Sequence, residues 1–241
     1  MDDQAYSLQY RVEKEHWWYR ARTEILLRYL EHRLKGRRDV RILDIGCGTG
    51  ALLEALAGRY QAAGVEPSER AVAFCRARGL SMVRKGTPET YLPDQPADVA
   101  TMFDVLEHIP DDTGTLRRVH GFLNPGGHLL LTVPAYRFLW SPQDDIVHHQ
   151  RRYTARPLRK VVEAAGFTVL HMTYFNSILF PAAVIRRLTS RVVPERPLRD
   201  LEVPNPVLNR CLYAVFSLER HAVPFARLPF GLSLLCWAGK V

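Results

Sequence analysis

The stretch Arg41–Gly50 places an apolar run directly before three closely spaced glycines. The apolar run is typical of a buried parallel strand, and the helical stretch Ala51–Ala57 follows the glycines. Glycine lets the backbone turn sharply and approach a ligand without a Cβ in the way, and a helix N-terminus presents unpaired N–H groups. This strand–loop–helix therefore predicts a ligand-binding edge of a parallel sheet.

The glycine spacing departs from the dinucleotide-binding fingerprint. Gly50 follows Gly48 after one residue instead of two, and Asp44 stands just before Gly46, where it would repel a pyrophosphate. An acid at this place suits a ligand that carries a positive charge. The pattern resembles the first motif of class I S-adenosylmethionine-dependent methyltransferases, whose cofactor has an ammonium and a sulfonium group.

Two further stretches strengthen the resemblance. Phe103–Asp111 contains Leu-Glu-His and is similar to the fourth-strand motif of the class, and Leu-x-Pro-Gly-Gly at 123–127 precedes an apolar strand, as it does there. Strands and helices alternate between them, which predicts a parallel sheet covered on both faces. Over about residues 40–175 the resemblance implies an α/β fold, a Rossmann-like, doubly wound, seven-stranded mixed sheet.

The resemblance also implies a set of cofactor-binding residues. Glu66 ends the second predicted strand, where a carboxylate can accept hydrogen bonds from both ribose hydroxyls. The class commonly places an acid near Thr87 for the adenine amino group, and its absence leaves Glu89 or a backbone carbonyl for that contact. The predicted S-adenosylmethionine-binding residues are Tyr19, Arg22, Asp44, Gly46, Cys47, Gly48, Gly50, Glu66, Pro67, Thr87, Glu89, Phe103, Asp104 and Val105.

The chain divides into four predicted parts. Residues 1–38 form an N-terminal helical lid, 39–175 the S-adenosylmethionine-binding core, 176–230 an inserted helical cap, and 231–241 the final strand. The first part is predicted as one helical segment, Tyr6–Lys35. Its His16–Tyr19 cluster leaves two interpretations open: a helix packed on the sheet, or a lid that closes over the cofactor while Arg20 or Arg22 meets a carboxylate.

The insert is the least expected part, because the class usually joins its last two strands by a short connection. Apolar helical stretches at Ile178–Leu188 and Leu208–Phe216 alternate with a proline-rich link, and eight arginines accompany them: Arg186, Arg187, Arg191, Arg196, Arg199, Arg210, Arg220 and Arg227. Such helices could wall a substrate pocket or lie on a membrane surface, and the two are compatible.

Three histidines are candidates for a general base. His108 follows the fourth strand, and His148 and His149 come from the loop after the fifth strand; a histidine pKa near 6.5 suits proton removal from a hydroxyl. The same loop offers candidate substrate-binding residues: Tyr136, Trp140, Arg151, Arg152 and Tyr153. Two adjacent histidines lack a third ligand, so no metal site is assigned.

Composition and charge indicate the cellular compartment and the kind of partner. The polar N-terminus, the absence of an apolar run near the roughly 20 residues that span a bilayer, and four scattered cysteines favour the cytoplasm, a reducing compartment and no zinc site. If the insert binds lipid, the protein is expected to lie peripherally at the inner membrane surface. The net charge of +8 indicates an anionic partner of some kind.

The expected reaction is in-line methyl transfer to a small-molecule acceptor, anionic or lipid-linked. Three alternatives stay open. An RNA methyltransferase fits the charge, but no RNA-binding module or Asn/Asp-Pro-Pro-Tyr motif is recognisable, so no nucleic-acid partner is expected. The others are a cyclase or lyase that uses the same cofactor without methylation, and a membrane-bound scaffold without catalysis.

Overall fold

A single seven-stranded sheet organises the chain, in the order β3-β2-β1-β4-β5-β7-β6. The computed structural model describes residues 3–190 and 202–240. The strands are β1 Arg41–Ile45, β2 Gln61–Glu66, β3 Val83–Lys85, β4 Ala97–Phe103, β5 Leu123–Pro134, β6 Phe167–Phe175 and β7 Ser233–Lys240. The first five pair in parallel, and β7 runs antiparallel between β5 and β6. The predicted mixed sheet is confirmed.

Helices cover both faces of this sheet. They are α1 Asp3–Val12, α2 Trp17–Arg33, α3 Ala51–Ala57, α4 Glu69–Ala77, α5 Asp112–Gly121, α6 Pro142–Ile146, α7 Ala155–Ala164, α8 Phe180–Ser190 and α9 Pro206–Ser217. The prediction of one helical segment over Tyr6–Lys35 is wrong. The chain breaks after Val12, and the His16 side chain caps α2 by accepting a hydrogen bond from the Trp18 N–H at 3.2 Å.

Alternate residues of the strands feed two separate cores, because successive side chains of a strand point to opposite faces. Leu43, Ala100 and Leu131 pack with α5 and α7 on one face. The opposite face carries Ile42, Val99, Leu130 and Leu235, together with Ile25, Leu26 and Leu30 of α2 and Phe216 of α9. Burial on both faces explains why these strands read as continuous apolar runs.

The segment between β6 and β7 is joined to the N-terminal helices. Asn209 of α9 accepts a hydrogen bond from the Trp17 N–H at 2.9 Å and donates one to the Glu15 carbonyl at 2.9 Å. Part of the predicted insert, with Arg191, Arg196 and Arg199, lies outside the described residues. Among the residues that the structure does describe, no helix is both long enough and apolar enough to cross a membrane.

Gly231, just before β7, provides a test of this packing. A Cβ there would lie 2.3 Å from the Phe175 carbonyl oxygen, and backbone atoms of a paired strand cannot yield easily. Gly231→Ala should lower the free energy of unfolding by about 1–3 kcal/mol, the usual cost of overpacking. Urea denaturation measures it.

Gly121 at the end of α5 is the matched control, since a Cβ there meets no atom within 4 Å. Gly121→Ala should leave stability unchanged or raise it by up to about 1 kcal/mol. Equal effects of the two substitutions would contradict the packing argument.

His171 of β6 provides a pH test. It is buried against Tyr29 of α2, whose hydroxyl lies 2.9 Å from Nδ1, and burial lowers its pKa to about 4, helped by the charges of Arg33 and Arg227. Since the unfolded pKa is about 6.5, its contribution to stability is lost as the pH falls from about 6.5 to about 4. A proton NMR titration should give a midpoint near the lower value; one near 6.5 would contradict burial.

Candidate active site

A cavity of about 1660 Å³ opens at the carboxyl ends of the parallel strands. Gly46, Glu66 and Phe103 line it from the ends of β1, β2 and β4, while Leu179 and Leu208 line it from the segment between β6 and β7. Strand order reverses between β1 and β4, which is where open α/β sheets bind ligands. The candidate site therefore lies at the predicted edge.

The glycine loop has the backbone that its composition predicts. Gly46 and Gly48 have φ values of +71° and +57°, which favour glycine, and both line the cavity. A Cβ on Gly46 would also lie 2.5 Å from Cγ2 of Val105, itself a lining residue. Gly50 and Cys47 lie outside the lining: Gly50 precedes α3, and the Cys47 thiol lies against Gly64.

Asp44 lies beneath the loop instead of in the cavity wall. Only 2% of it is exposed, and the Thr101 hydroxyl donates a 2.6 Å hydrogen bond to Oδ1. Burial raises its pKa to about 7, although Thr101 and Arg22 both oppose the rise. Any attraction between Asp44 and a cationic ligand would thus act from behind the loop.

Glu66 is a buried carboxylate at the cavity wall. It accepts hydrogen bonds from the N–H groups of Gly48 at 2.9 Å and Ser68 at 3.0 Å. The Tyr6 hydroxyl of α1 adds a third at 3.0 Å. Burial raises the pKa of Glu66 against these hydrogen bonds. Pro67 lines the cavity beside it.

Arg22 of α2 enters the site as part of a small polar network. Its Nη2 lies 2.7 Å from Oδ2 of Asp104 and 3.1 Å from the Thr132 hydroxyl, which in turn donates to Asp104 at 3.0 Å. Its guanidinium lies over the rings of Trp18 and Phe103. The carboxylate that Arg22 meets is therefore one of the protein's own. Tyr19 lines the cavity nearby, and burial raises the pKa of its hydroxyl.

Thr87 and Glu89 line the same cavity from the turn after β3. Glu89 accepts a 2.8 Å hydrogen bond from the Thr115 hydroxyl. Although burial favours a higher pKa for Glu89, its hydrogen bonds with Thr115 and Thr87 produce a net lowering. The carboxylate is thus held ionised at this wall.

The structure separates most of the predicted substrate-binding residues from the cavity lining. Arg151 and Tyr153 both bind Oδ2 of Asp112, at 2.8 and 2.9 Å, because the loop after β5 folds back on α5. Tyr136 stacks on Tyr174 with ring centroids 5.2 Å apart. Trp140 donates a 3.0 Å hydrogen bond to Asp145. Arg152 is the member of the set that lines the cavity.

Arg152 and His149 both bind the buried Asp144. Nε of Arg152 lies 2.8 Å from Oδ1, and Nδ1 of His149 lies 2.7 Å from the same oxygen. The Ser141 N–H and hydroxyl each donate to Oδ2 at 2.8 Å. Burial alone would raise the pKa of Asp144, but the hydrogen bonds from His149 and Arg152 hold it well below its usual range.

His108 and His149 both line the cavity and contact each other, with ring centroids 4.6 Å apart. Burial, together with the charge of His149, lowers the pKa of His108 to about 4, so His108 is neutral near pH 7. His148 lines the cavity too, with φ of +62°. All three base candidates are thus at one site.

Glu107, Asp144 and Tyr6 reach this site without having been predicted to do so. Glu107 lies inside the recognised Leu-Glu-His motif, yet its contacts with His149 and Gln150 of the loop after β5 arise only on folding. For Asp144 a local signal exists: Ser141-Pro142-Gln143-Asp144 has the spacing of a capping box, which the structure contains. Tyr6 could not be found locally, because its contact with Glu66 joins residues 60 positions apart.

The sequence profile of the methyltransferase-domain family matches residues 6–172. A probable S-adenosylmethionine-dependent methyltransferase of Mycolicibacterium smegmatis is 34% identical over 164 residues, 66% of this chain and 62% of that protein. A ubiquinone biosynthesis O-methyltransferase of Pseudomonas aeruginosa is 34% identical over 105 residues, 40% of this chain and 45% of the relative. The chain thus matches less than two thirds of either relative's length.

The fold has solved counterparts. A possible histamine N-methyltransferase of Thermotoga maritima superposes with a TM-score of 0.59 at 19% identity, over 99% of this chain and 96% of the other. That identity establishes the shared fold alone. The profile match shows that the chain belongs to the methyltransferase-domain family, and the superposition shows the class I fold of S-adenosylmethionine-dependent enzymes.

Proposed function

We propose that the protein transfers a methyl group from S-adenosylmethionine to a small-molecule acceptor. The observation that carries this proposal is one cavity whose lining includes both the glycine loop with Glu66 and three histidines. A cofactor site and an acceptor site in one cavity are what an in-line displacement requires. The ubiquinone biosynthesis O-methyltransferase among its relatives supports a small-molecule acceptor.

The residues present fit the cofactor. Its ribose offers hydroxyl donors, and Glu66 is a buried acceptor at the cavity wall beside a loop without Cβ atoms at Gly46 and Gly48. When bound, S-adenosylmethionine supplies a methyl group on a positively charged sulfur. Asp44 would add negative charge behind the loop, and Tyr19 would close the site from α2. These assignments make the N-terminal helices the proposed lid.

The acceptor end of the cavity is mixed in character. Leu179, Ala183 and Leu208 give it an apolar wall, and Arg186 lines the cavity as well. Apolar side chains with guanidinium groups suit an acceptor that has a lipid part or an anionic group. The exposed Ile178, Ile185 and Leu188 support a further proposal, that the cap over residues 176–230 touches a membrane surface.

The protein's own groups would align the acceptor, exclude water and accept the proton that the acceptor loses. His108, His148 and His149 are the proposed proton acceptors. Arg152 would position His149 instead of binding the acceptor. Its guanidinium binds both oxygens of Asp144, and Asp144 in turn binds His149.

The cofactor site can be tested at Glu66. Glu66→Gln keeps the shape but removes the charge, so S-adenosylmethionine and S-adenosylhomocysteine should both bind about 10–100-fold more weakly, the value of hydrogen bonds to a charged group. Isothermal titration calorimetry measures both affinities.

Glu69 is the matched control three residues away. Its carboxylate is on the surface, paired with Lys85 at 2.7 Å. Glu69→Gln should leave both affinities unchanged. A folded wild-type protein that binds neither ligand, or equal effects of the two substitutions, would overturn the proposed function.

The acceptor wall can be tested at Ala183. Ala183→Trp would fill the apolar end of the cavity, so methylation of phenolic acceptors with an isoprenoid tail should fall at least tenfold in kcat/KM, while cofactor affinity stays unchanged. Ile185→Trp is the control, since Ile185 lies outside the cavity lining and is 64% exposed. Radiolabelled methyl transfer measures both; no difference between the variants would contradict the proposed wall.

A further inference from the structure

Glu107 has an unusual environment for a carboxylate. Its side chain has no exposed surface, and neither carboxylate oxygen makes a hydrogen bond with any described residue. A buried ionised carboxylate without a partner is costly, and buried polar groups are nearly always paired. Glu107 nevertheless borders the cavity. Both carboxylate oxygens are therefore available to a group that binds in the cavity.

Two histidine rings lie beside this carboxylate. Nε2 of His149 is 3.8 Å from Oε1 of Glu107, and ligand atoms of Glu107, His108 and His149 all lie within 4.8 Å of one another. A tetrahedral metal ion with ligand atoms at about 2.1 Å holds those atoms about 3.4 Å apart. The His149–Glu107 pair exceeds this separation by a few tenths of an ångström, and the widest separation has to contract by at most about 1.4 Å, within the reach of side-chain rotation.

The surroundings orient these ligands. Asp144 lies 2.7 Å from Nδ1 of His149, so the tautomer with its proton on Nδ1 leaves the Nε2 lone pair facing Glu107. The Gln150 N–H donates a 2.7 Å hydrogen bond to the Glu107 carbonyl, which ties the histidine loop to the chain after β4. A carboxylate behind a histidine ligand is the usual second contact of metal-binding histidines.

We propose that Glu107, His108 and His149 bind a divalent transition-metal ion, with Zn²⁺ the representative. Two imidazole nitrogens and one carboxylate oxygen form the donor set of many such sites, and they leave coordination positions open. Those positions would face the cavity. The ion would hold Glu107 in its ionised form and bind its carboxylate directly, in addition to the 3.8 Å contact with His149. In the sequence, His148 and His149 have no third ligand beside them and therefore do not predict a metal site; folding brings Glu107 and His108 to His149 instead.

The consequence for catalysis rests on the proposed function. A hydroxyl of the acceptor bound at an open position would lose its proton more readily, since a metal ion lowers the pKa of its ligand. His108 and His149 would then hold the ion, and the acceptor's proton would leave to solvent or to His148. Metal binding itself can be measured without an acceptor.

The test is a calorimetric titration of Zn²⁺ into the full chain, prepared without a histidine tag. The wild type should bind one equivalent. Glu107→Gln and His149→Asn should each weaken binding by more than the roughly 10–100-fold that loss of an outer contact costs. His148→Asn is the matched control, because His148 is adjacent in sequence but outside the cluster, and its positive φ tolerates asparagine. It should bind as the wild type does.

Co²⁺ provides a readout that needs no variant. Co²⁺ held by two imidazoles and a carboxylate should show an intensified visible d–d absorption that the hydrated ion lacks, and Zn²⁺ should abolish it. An unchanged spectrum of the hydrated ion would overturn the proposal, even if the Glu107 and His149 variants fail to fold. Equal Zn²⁺ affinity in folded wild-type and Glu107→Gln protein would overturn it too.

A parallel titration with S-adenosylmethionine separates the two proposals. If the cofactor binds and Zn²⁺ does not, the metal site falls and the proposed function stands. If Zn²⁺ binds at the cluster and the cofactor does not bind, the proposed function falls and the metal site stands.

Discussion

The parallel pairing of β1 with both β2 and β4 is the constraint on which the site depends. It brings the ends of these strands to one edge, so that Gly46, Glu66 and Phe103 face a common cavity although they are far apart in the sequence. The pairing is held by apolar side chains on both faces of the sheet. Because the chain reverses its winding beside β1, the connections that follow β1 and β4 lead to opposite faces of the sheet and leave a crevice between them.

A second constraint is the buried Asp144. Its two oxygens bind Ser141, His149 and Arg152, which are spread over the loop after β5. Charge-assisted hydrogen bonds of this kind are stronger than neutral ones, and breaking a buried pair leaves an uncompensated charge. Asp144 thereby sets the position of His149 opposite Glu107. The position of His149, on which the proposed metal site depends, therefore follows from one buried anion.

The cavity owes its outer wall to contacts between distant parts of the chain. Asn209 of α9 binds the backbone on both sides of His16, at Glu15 and Trp17, and Tyr6 of α1 reaches Glu66. The N-terminal helices and the segment before β7 therefore support each other across the sheet edge. A ligand in the cavity would be surrounded by elements from both ends of the chain, which suits a reaction that must exclude water.

The sequence by itself determined the fold class and the edge of the sheet at which the cavity lies. The glycine spacing, Glu66 after its strand and the Phe103–Asp111 motif are local patterns, and local patterns dictate strands, turns and the edge where parallel strands end. The sequence did not predict the helix break before Trp17, because its helical pattern is continuous there and the cap by the His16 side chain is visible only in the structure. Tertiary structure alone decided which residues of the loop after β5 face the cavity. Arg151 and Tyr153 turn to Asp112, while Arg152 and His149 turn to the buried Asp144, because each carboxylate binds the donors that folding brings near it, whatever their order in the sequence.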